Sequence, residues 1–458
     1  MRKHIYIIGI MMLLPLAVFG QALRGSYFFD SSIQRMEMNP AFSTHTNYIN
    51  IVELSANVNS NLGAKNFLFP KDGQLYPYLN QNVSTAEFMA LMPQNPYVQG
   101  AIDANILGAG FYISDKEYIT VDIGERTNMR MDTPTDFYLF LKDAGIGQTY
   151  NIKDFSIYQD AYIQVAGGYK RDLGDVVPGL SIGAKAKFLM GIDRVDMRIN
   201  NARIYMSESE MSIISDAEGS IHGKFVDYVA AAGEDQLPSV EFGASGIGIA
   251  GYGFAVDLGV DYKLKFDDSF VDGINLSASL VDLGAIFYSS KDATALKSQG
   301  TASFTGFEEI SKDFNASEAL KRIGAEFLTI ANFEETPGTG ITSTLTPKAF
   351  VGVEVPMMKN FMSVGLLYSY MYGISDITAS YNLKVAKKLN VGLNYSFLNT
   401  FKTIGWIVEF VPYNGVALFV GSDYTSFANA SNGIPVDKAV VNGRIGIQAV
   451  FGSKYFKK

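Results

Sequence analysis

The chain has 458 residues, a formal charge of −9, no cysteine, 44 glycines and 13% aromatic residues. Without cysteine it can form neither disulfides nor thiolate metal sites, and its acidity disfavours nucleic acid or an anionic membrane surface as partner. Abundant glycine and aromatic side chains favour twisted strands and tight turns over helices.

The chain opens with basic Arg2 and Lys3, an apolar run from Ile5 to Phe19, and small Gly20 before Gln21. That order is a secretory signal peptide, residues 1–20, cleaved after Gly20. The run is short for a spanning helix, which needs about 20 apolar residues, and the missing cysteine excludes a lipoprotein anchor. Losing Arg2 and Lys3 takes the formal charge from −9 to −11. Residues 21–458 read as a single domain.

Residues 21–46 and 60–100 are irregular, with Pro70, Pro77, Pro93 and Pro96 and a short helical stretch around Thr85 to Met92. Such segments cannot face lipid, so they belong in a lumen or at its mouth. The first strand is expected near Tyr48 to Val58. Residues 194–222 contain the strand-like Val195 to Met206; crossing the membrane as an extra hairpin they would give 16 strands, and left outside it they give 14. The lower count is preferred because Asp196, Arg198, Glu208 and Glu210 leave no clean lipid-facing stripe. Ser311 to Phe327 has Ala316, Leu320, Ile323 and Phe327 on one helical face, suited either to a pore cover or to a surface helix.

The last third alternates with period two. Leu389, Val391, Leu393, Tyr395 and Phe397 point one way, and Asn390, Gly392, Asn394 and Ser396 the other. Met362 to Tyr370 repeats the pattern, as does Val441 to Phe451, where Asn442, Arg444 and Gln448 share the polar face. Tight links fall near Asp115, Asp172, Asp267, Met358, Lys387 and Asn414, and long polar stretches near 132–148, 193–245, 288–345 and 424–437. Every short link is expected at the periplasmic end and every long one outside.

A soluble sandwich alternates too, but a sheet of about a dozen or more strands closes around a lumen too wide for apolar side chains to fill. The expected fold is therefore all-β: an antiparallel transmembrane β-barrel with an N-terminal luminal hatch. Leu393→Arg should disrupt its lipid face, whereas Asn394→Arg should be tolerated in a wet lumen. Lumen-facing candidates are Asp257, Asp261, Lys263, Asn394, Asn442, Arg444 and Gln448, with the aspartates hydrated or paired to Lys263, Arg444 and other inward cations.

Catalytic motifs are sparse. Gly246-Ile-Gly248-Ile-Ala-Gly251 has dinucleotide spacing, but Val256, Leu258, Val260, Tyr262 and Leu264 alternate after it as a strand where a helix is required. Gly243-Ala-Ser245-Gly246 lacks the last glycine of a nucleophile elbow, and the mature histidines are His45 and His222 alone. No enzyme activity, cofactor or metal is expected.

Gln21-Ala-Leu-Arg-Gly-Ser-Tyr-Phe-Phe-Asp-Ser-Ser, Arg35 and Asn39-Pro40-Ala41-Phe42 resemble the opening of a family of uncharacterised exported barrel proteins of Bacteroidota. Lys65-Asn-Phe-Leu-Phe-Pro70, Ala161 to Tyr169, Gly183 to Leu189, Gly251 to Gly259 and Asp282-Leu-Gly284 extend the likeness over the mature chain. More distantly, Asn39-Pro40-Ala41 resembles the Asn-Pro-Ala motif of the long-chain fatty-acid transporter superfamily, whose 14-stranded barrels carry an N-terminal hatch. The resemblance makes Asn39, Pro40, Ala41 and Phe42 hatch candidates, with Asn39 capping a bend and Phe42 anchoring it to the wall. The combined reading is a monomeric barrel in the bacterial outer membrane, a transporter or channel for small molecules, apolar ones included. Its expected partners are outer-membrane lipid, the barrel-assembly machinery during insertion and a small apolar ligand, with no nucleic acid. The alternative is a structural or secretion-assembly component that binds exported proteins through long loops.

Overall fold

A computed structural model describes residues 23–452, less 144, 209–210, 230–237, 244–245, 268–269, 305–324, 372, 387, 398–402, 426–435 and 437. The signal peptide lies outside the described residues, as does most of the helix expected over Ser311 to Phe327; residues 325–331 are helical. Among the described residues no helix is long and apolar enough to cross a membrane.

Fourteen antiparallel strands make the wall. They are β1 (Thr46–Ser60), β2 (Tyr97–Tyr112), β3 (Glu117–Asp132), β4 (Thr149–Asp172), β5 (Leu180–Met206), β6 (Gly251–Lys265) and β7 (Gly273–Tyr288). The circuit continues through β8 (Lys348–Met357), β9 (Met362–Met371), β10 (Ile374–Ala386), β11 (Leu389–Ser396), β12 (Ile404–Phe410), β13 (Gly415–Thr425) and β14 (Val440–Gly452). Each strand pairs with the next, and β14 returns to β1 from Thr46↔Gly452 to Asn59↔Val440. Closure leaves the wall without an open edge.

The burial is inverted relative to a soluble protein. Leu393 is 54% exposed on the outside, and its neighbour Asn394 is 4% exposed on the inside. Val364 and Leu366 in β9, and Ile445 and Ile447 in β14, likewise face out while Ser363, Ser369, Asn442, Arg444 and Gln448 face in. Outward aromatic residues gather at two levels, with Tyr252, Phe254, Phe287 and Phe397 at one and Phe266, Phe270, Phe361 and Phe410 at the other. Phe254 and Phe266 bound an apolar band roughly 30 Å tall, at about 3.3 Å per residue and about 40° of tilt. That height matches a bilayer core.

The end of the barrel where β1 begins carries the turns at 113–116, 173–179, 266–272, 358–361, 387–388 and 411–414. The opposite end carries the longer connections, with two exceptions: β9 and β10 are joined there by residues 372–373 alone, and β11 and β12 by residues 397–403. The expectation that every short link lies at one end is corrected accordingly.

The stretch 193–245 is also not a loop throughout. Val195 to Met206 continues β5 beyond the band, and Met211–Gly223 folds back along it. Here the faces reverse: Val195, Met197, Ile199 and Ile204 are buried inward, while Arg198 and Arg203 are on the outside. A polar outer face cannot meet lipid, so this hairpin stands above the membrane and the wall keeps fourteen strands. Ala293–Ser298, Thr301–Phe304 and Phe333–Pro337 extend the same sheet. The Thr135–Lys142 helix and residues 325–331 fill its concave side with Phe137, Phe140, Phe327 and Ile330. We call this layer the crown.

Residues 61–96 lie at the same mouth. Leu62, Phe69, Tyr78, Val83 and Phe88 bury against Tyr138 of the crown helix. The Thr85–Leu91 helix is capped by Ser84, whose hydroxyl accepts the Glu87 amide at 3.2 Å. Lys71 and Ser84 together hold the Glu87 carboxyl down to about 2.

Leu393→Arg is expected to destabilise the barrel by about 2–4 kcal/mol, the cost of an arginine near the bilayer midplane. Urea unfolding in lipid vesicles measures it, and an unchanged midpoint would mean that the outer face does not meet lipid.

Candidate functional site: a plugged lumen

The interior side chains of the wall are mainly Asn, Ser, Asp, Glu, Lys and Arg, and residues 23–45 lie against them, nearly all buried. This plug contains two single-turn helices, Arg24–Ser26 and Arg35–Met38, and pairs with no strand of the wall among the described residues. Charges held in such a place require partners, and the plug finds them on β10, β13, β14 and β1.

Arg24 pairs with Asp376 and, at 3.6 Å, with Asp423. The backbone amides of Arg24 and Gly25 donate to the two Asp423 oxygens at 2.8 and 3.1 Å. Asp30 accepts from Lys384 Nζ at 2.8 Å and Asn360 Nδ2 at 2.7 Å, with His45 Nε2 3.4 Å away. Glu37 meets Arg444 Nη2 at 2.7 Å, and Arg444 Nε also pairs with Glu53 of β1. One guanidinium thus joins the plug, the last strand and the first.

Shape fixes the plug on glycines of the inner wall. A Cβ added at Gly183 would stand 2.0 Å from Pro40 O, and one at Gly259 would stand 2.0 Å from Asn39 Oδ1. Tyr27 and Phe28 crowd Gly352 in the same way, Phe28 crowds Gly365, and Leu23 approaches Gly421. Asn39 Oδ1 accepts the Ala41 amide at 2.9 Å and so caps the bend before Pro40. Its Nδ2 donates to the carbonyls of Val260 and Ala278 at 3.1 and 3.3 Å. Asn39-Pro40-Ala41 is therefore seated on β5, β6 and β7. Phe42 meets Tyr27 edge-on at 5.1 Å and lies 3.8 Å beneath Arg35, both plug residues. Tyr27, hydrogen-bonded to Ser277 at 3.0 Å, and Phe28 anchor the plug to the wall, and Phe42 shares a buried cluster with the wall residues Tyr118 and Phe350.

The wall positions singled out in the sequence fall as follows. Asp257 is buried 2.8 Å from Lys187 Nζ, which also meets Asp282 at 2.5 Å; Lys348 reaches the other Asp282 oxygen at 2.8 Å. Asp261 is buried, with Lys263 Nζ 3.5 Å away, but Lys263 stands half exposed at the turn end. Asn442 Oδ1 accepts the Asp423 amide at 2.7 Å, and Gln448 is buried on the same strand. Asn394 does not face open water: its Nδ2 lies 3.2 Å from Asp423 Oδ1, and its side chain is pressed between Gly25 and Gly405. An arginine there would collide with the plug, which overturns the tolerance expected for Asn394→Arg.

Among the described residues the lumen holds cavities of about 40 and 20 Å³, enough for a few water molecules each. Glu37, Asp103, Asp257 and Asp282 line the larger together with Arg126, Lys185, Lys187 and Lys348. The smaller lies among Arg24, Asn57, Asn59, Gln99 and Asp376. His222 is buried at the crown junction with Nε2 2.9 Å from Thr339 O. The described residues place no group of three or more His, Asp and Glu to hold a metal ion.

Arg24, Asp376, Lys187 and Lys348 leave no direct sign in the sequence, because ion pairs between positions distant in the chain make no local pattern. The glycines did leave one. Gly259, Gly365 and Gly392 occupy inward positions of alternating strands, where a missing side chain signals close approach.

Residues 40–423 match the profile of DUF5723, a family of unknown function. The chain belongs to this family. A search of curated proteins finds no match to this DUF5723 chain. Among solved structures, the toluene transporter TbuX of Ralstonia pickettii aligns at 10% identity over 92% of this chain and 94% of its own, with a TM-score of 0.34. The deltaS2S3 mutant of the monoaromatic hydrocarbon channel TodX, a Pseudomonas putida protein, aligns at 8% identity over 92% and 94%, with a TM-score of 0.42. A Pseudomonas aeruginosa FadL homologue aligns at 12% identity over 96% and 100%, with a TM-score of 0.30. At these values nothing about ligands follows from the likeness; the barrel is established by its own strand pairing.

Two substitutions probe the plug. Gly259→Val should lift residues 39–41 off the wall while the strands stay paired, so limited proteolysis should begin to cut within 23–45 in a barrel that still shifts on boiling. Full protection in that folded variant would rule out seating on the glycine. Arg444→Met leaves Glu37 and Glu53 without their cation and should cost about 3–5 kcal/mol, read from the urea midpoint.

Proposed function

We propose that this protein is an outer-membrane transport barrel for small solutes, closed in the described state by its own N-terminal segment. The observation that carries the reading is the nature of the stopper. The lumen is filled by a separate segment that joins the wall covalently at Thr46. Such a plug can leave without breaking any strand pairing of the wall, giving up its ion pairs and hydrogen bonds to the inner face. The signal peptide, the apolar outer band and the two aromatic levels support placement in the outer membrane. No catalytic step is invoked.

The apolar passenger suggested by the sequence finds less support in the lining, where charged and amide side chains outnumber apolar ones such as Met38, Val281, Phe350, Met371 and Ile374. The crown favours a second reading, because a sheet with its own apolar core rising from one arc of the rim offers exported proteins a firm surface.

Deleting residues 23–44 while keeping the signal should increase the swelling rate of reconstituted liposomes in small solutes several-fold. Unchanged flux in a correctly inserted deletion variant, with loss of a copurifying protein, would replace transport by the scaffold reading.

A further inference from the structure

The two cavities share one wall. Met371, the last residue of β9, lines both. The smaller cavity lies at the loop-end rim, between Asn57 and Asn59 of β1 and Asp376 of β10. Here only residues 372–373 join β9 to β10, whereas the crown rises from β4 and β5. The larger cavity lies deeper, beside Glu37 and Met38 of the plug. Met371 is buried between them and clusters with Leu367 and Phe350.

We infer that the two cavities are the outer and inner parts of one polar path, that Met371 is the constriction dividing them, and that the path suits small hydrophilic solutes without net charge. The inference rests on the transport reading above and names its passenger and its gate.

The class of passenger follows from the lining. Four carboxylates and four cations surround the larger cavity, so an ion of either sign meets its own charge as often as the opposite one. A hydrocarbon would strip water from these groups and offer no hydrogen bond in return. A neutral polar molecule or a zwitterion keeps partners on both sides. Methionine suits a constriction, because its unbranched side chain fills an irregular gap yet turns about three bonds.

The absence of cysteine makes the test clean, since Met371→Cys introduces the only thiol. The full-length variant, checked for its shift on boiling, is reconstituted into liposomes and its swelling followed in glycine and in arabinose. Flux should rise several-fold with the plug still in place, return to the wild-type rate after reaction with a bulky methanethiosulfonate, and stay at that rate in the volume-conserving Met371→Leu. Met371→Gln, close in size but polar, should also open the path and serves if the thiol variant does not fold. In a potassium chloride gradient the opened path should give a reversal potential near zero. Wild-type flux in folded Met371→Cys and Met371→Gln, beside a plug deletion that conducts, would overturn the constriction and leave transport standing. Strong ion selectivity, or faster entry of an apolar probe than of glycine, would overturn the solute class. A plug deletion that does not conduct would remove the transport reading and this inference with it.

Discussion

A sheet of fourteen strands, once closed, encloses more space than its own inward side chains can fill, and the rest of the molecule answers that constraint. The apolar faces must turn outward to find an apolar medium. The inner faces must then be polar, and the space between them must hold water or other parts of the chain. Here it holds residues 23–45, with cavities of about 20 and 40 Å³ beside them.

Packing a polar lumen raises an electrostatic difficulty that an apolar core avoids. Arg24, Asp30 and Glu37 are removed from bulk water, and removal of a charge costs more than a single pair necessarily returns. The plug meets this with backbone amides, amide side chains and ion pairs acting together, as Asp423 does in serving Arg24, Gly25 and Asn394. The charges contribute position more than stability. Arg24 has its counterparts on β10 and β13, Asp30 on β10 and Glu37 on β14, while the close contacts at Gly183 and Gly259 seat the plug by shape. Charge fixes one side of the segment and close contact fixes the other.

The wall was legible in the sequence because period-two alternation is a local signal, clear in Leu389 to Phe397 and in Val441 to Phe451. Its strand number was legible because the charges of Asp196 and Arg198 rule out lipid around Val195 to Met206, although the continuation of β5 into the crown was not, since a strand above a membrane alternates like one within it. The Asn39-Pro40-Ala41 bend could be found from its residue types. Its partners could not, because the carbonyls of Val260 and Ala278 are backbone atoms with no residue preference. The lumen was expected to be wet and tolerant. Asn394 is neither, because what packs against it comes from residue 25 and from across the wall.

Arg444 adds a matter of timing. Its three-way joint links Glu37, Glu53 and the final strand across 391 positions of chain, and contacts of such separation form late. Until β14 meets β1 the joint does not exist, so closure of the wall completes the seat of Glu37. Without β14 the carboxylates of Glu37 and Glu53 lack their shared cation, so the seam of the wall and this end of the plug are completed by the same side chain.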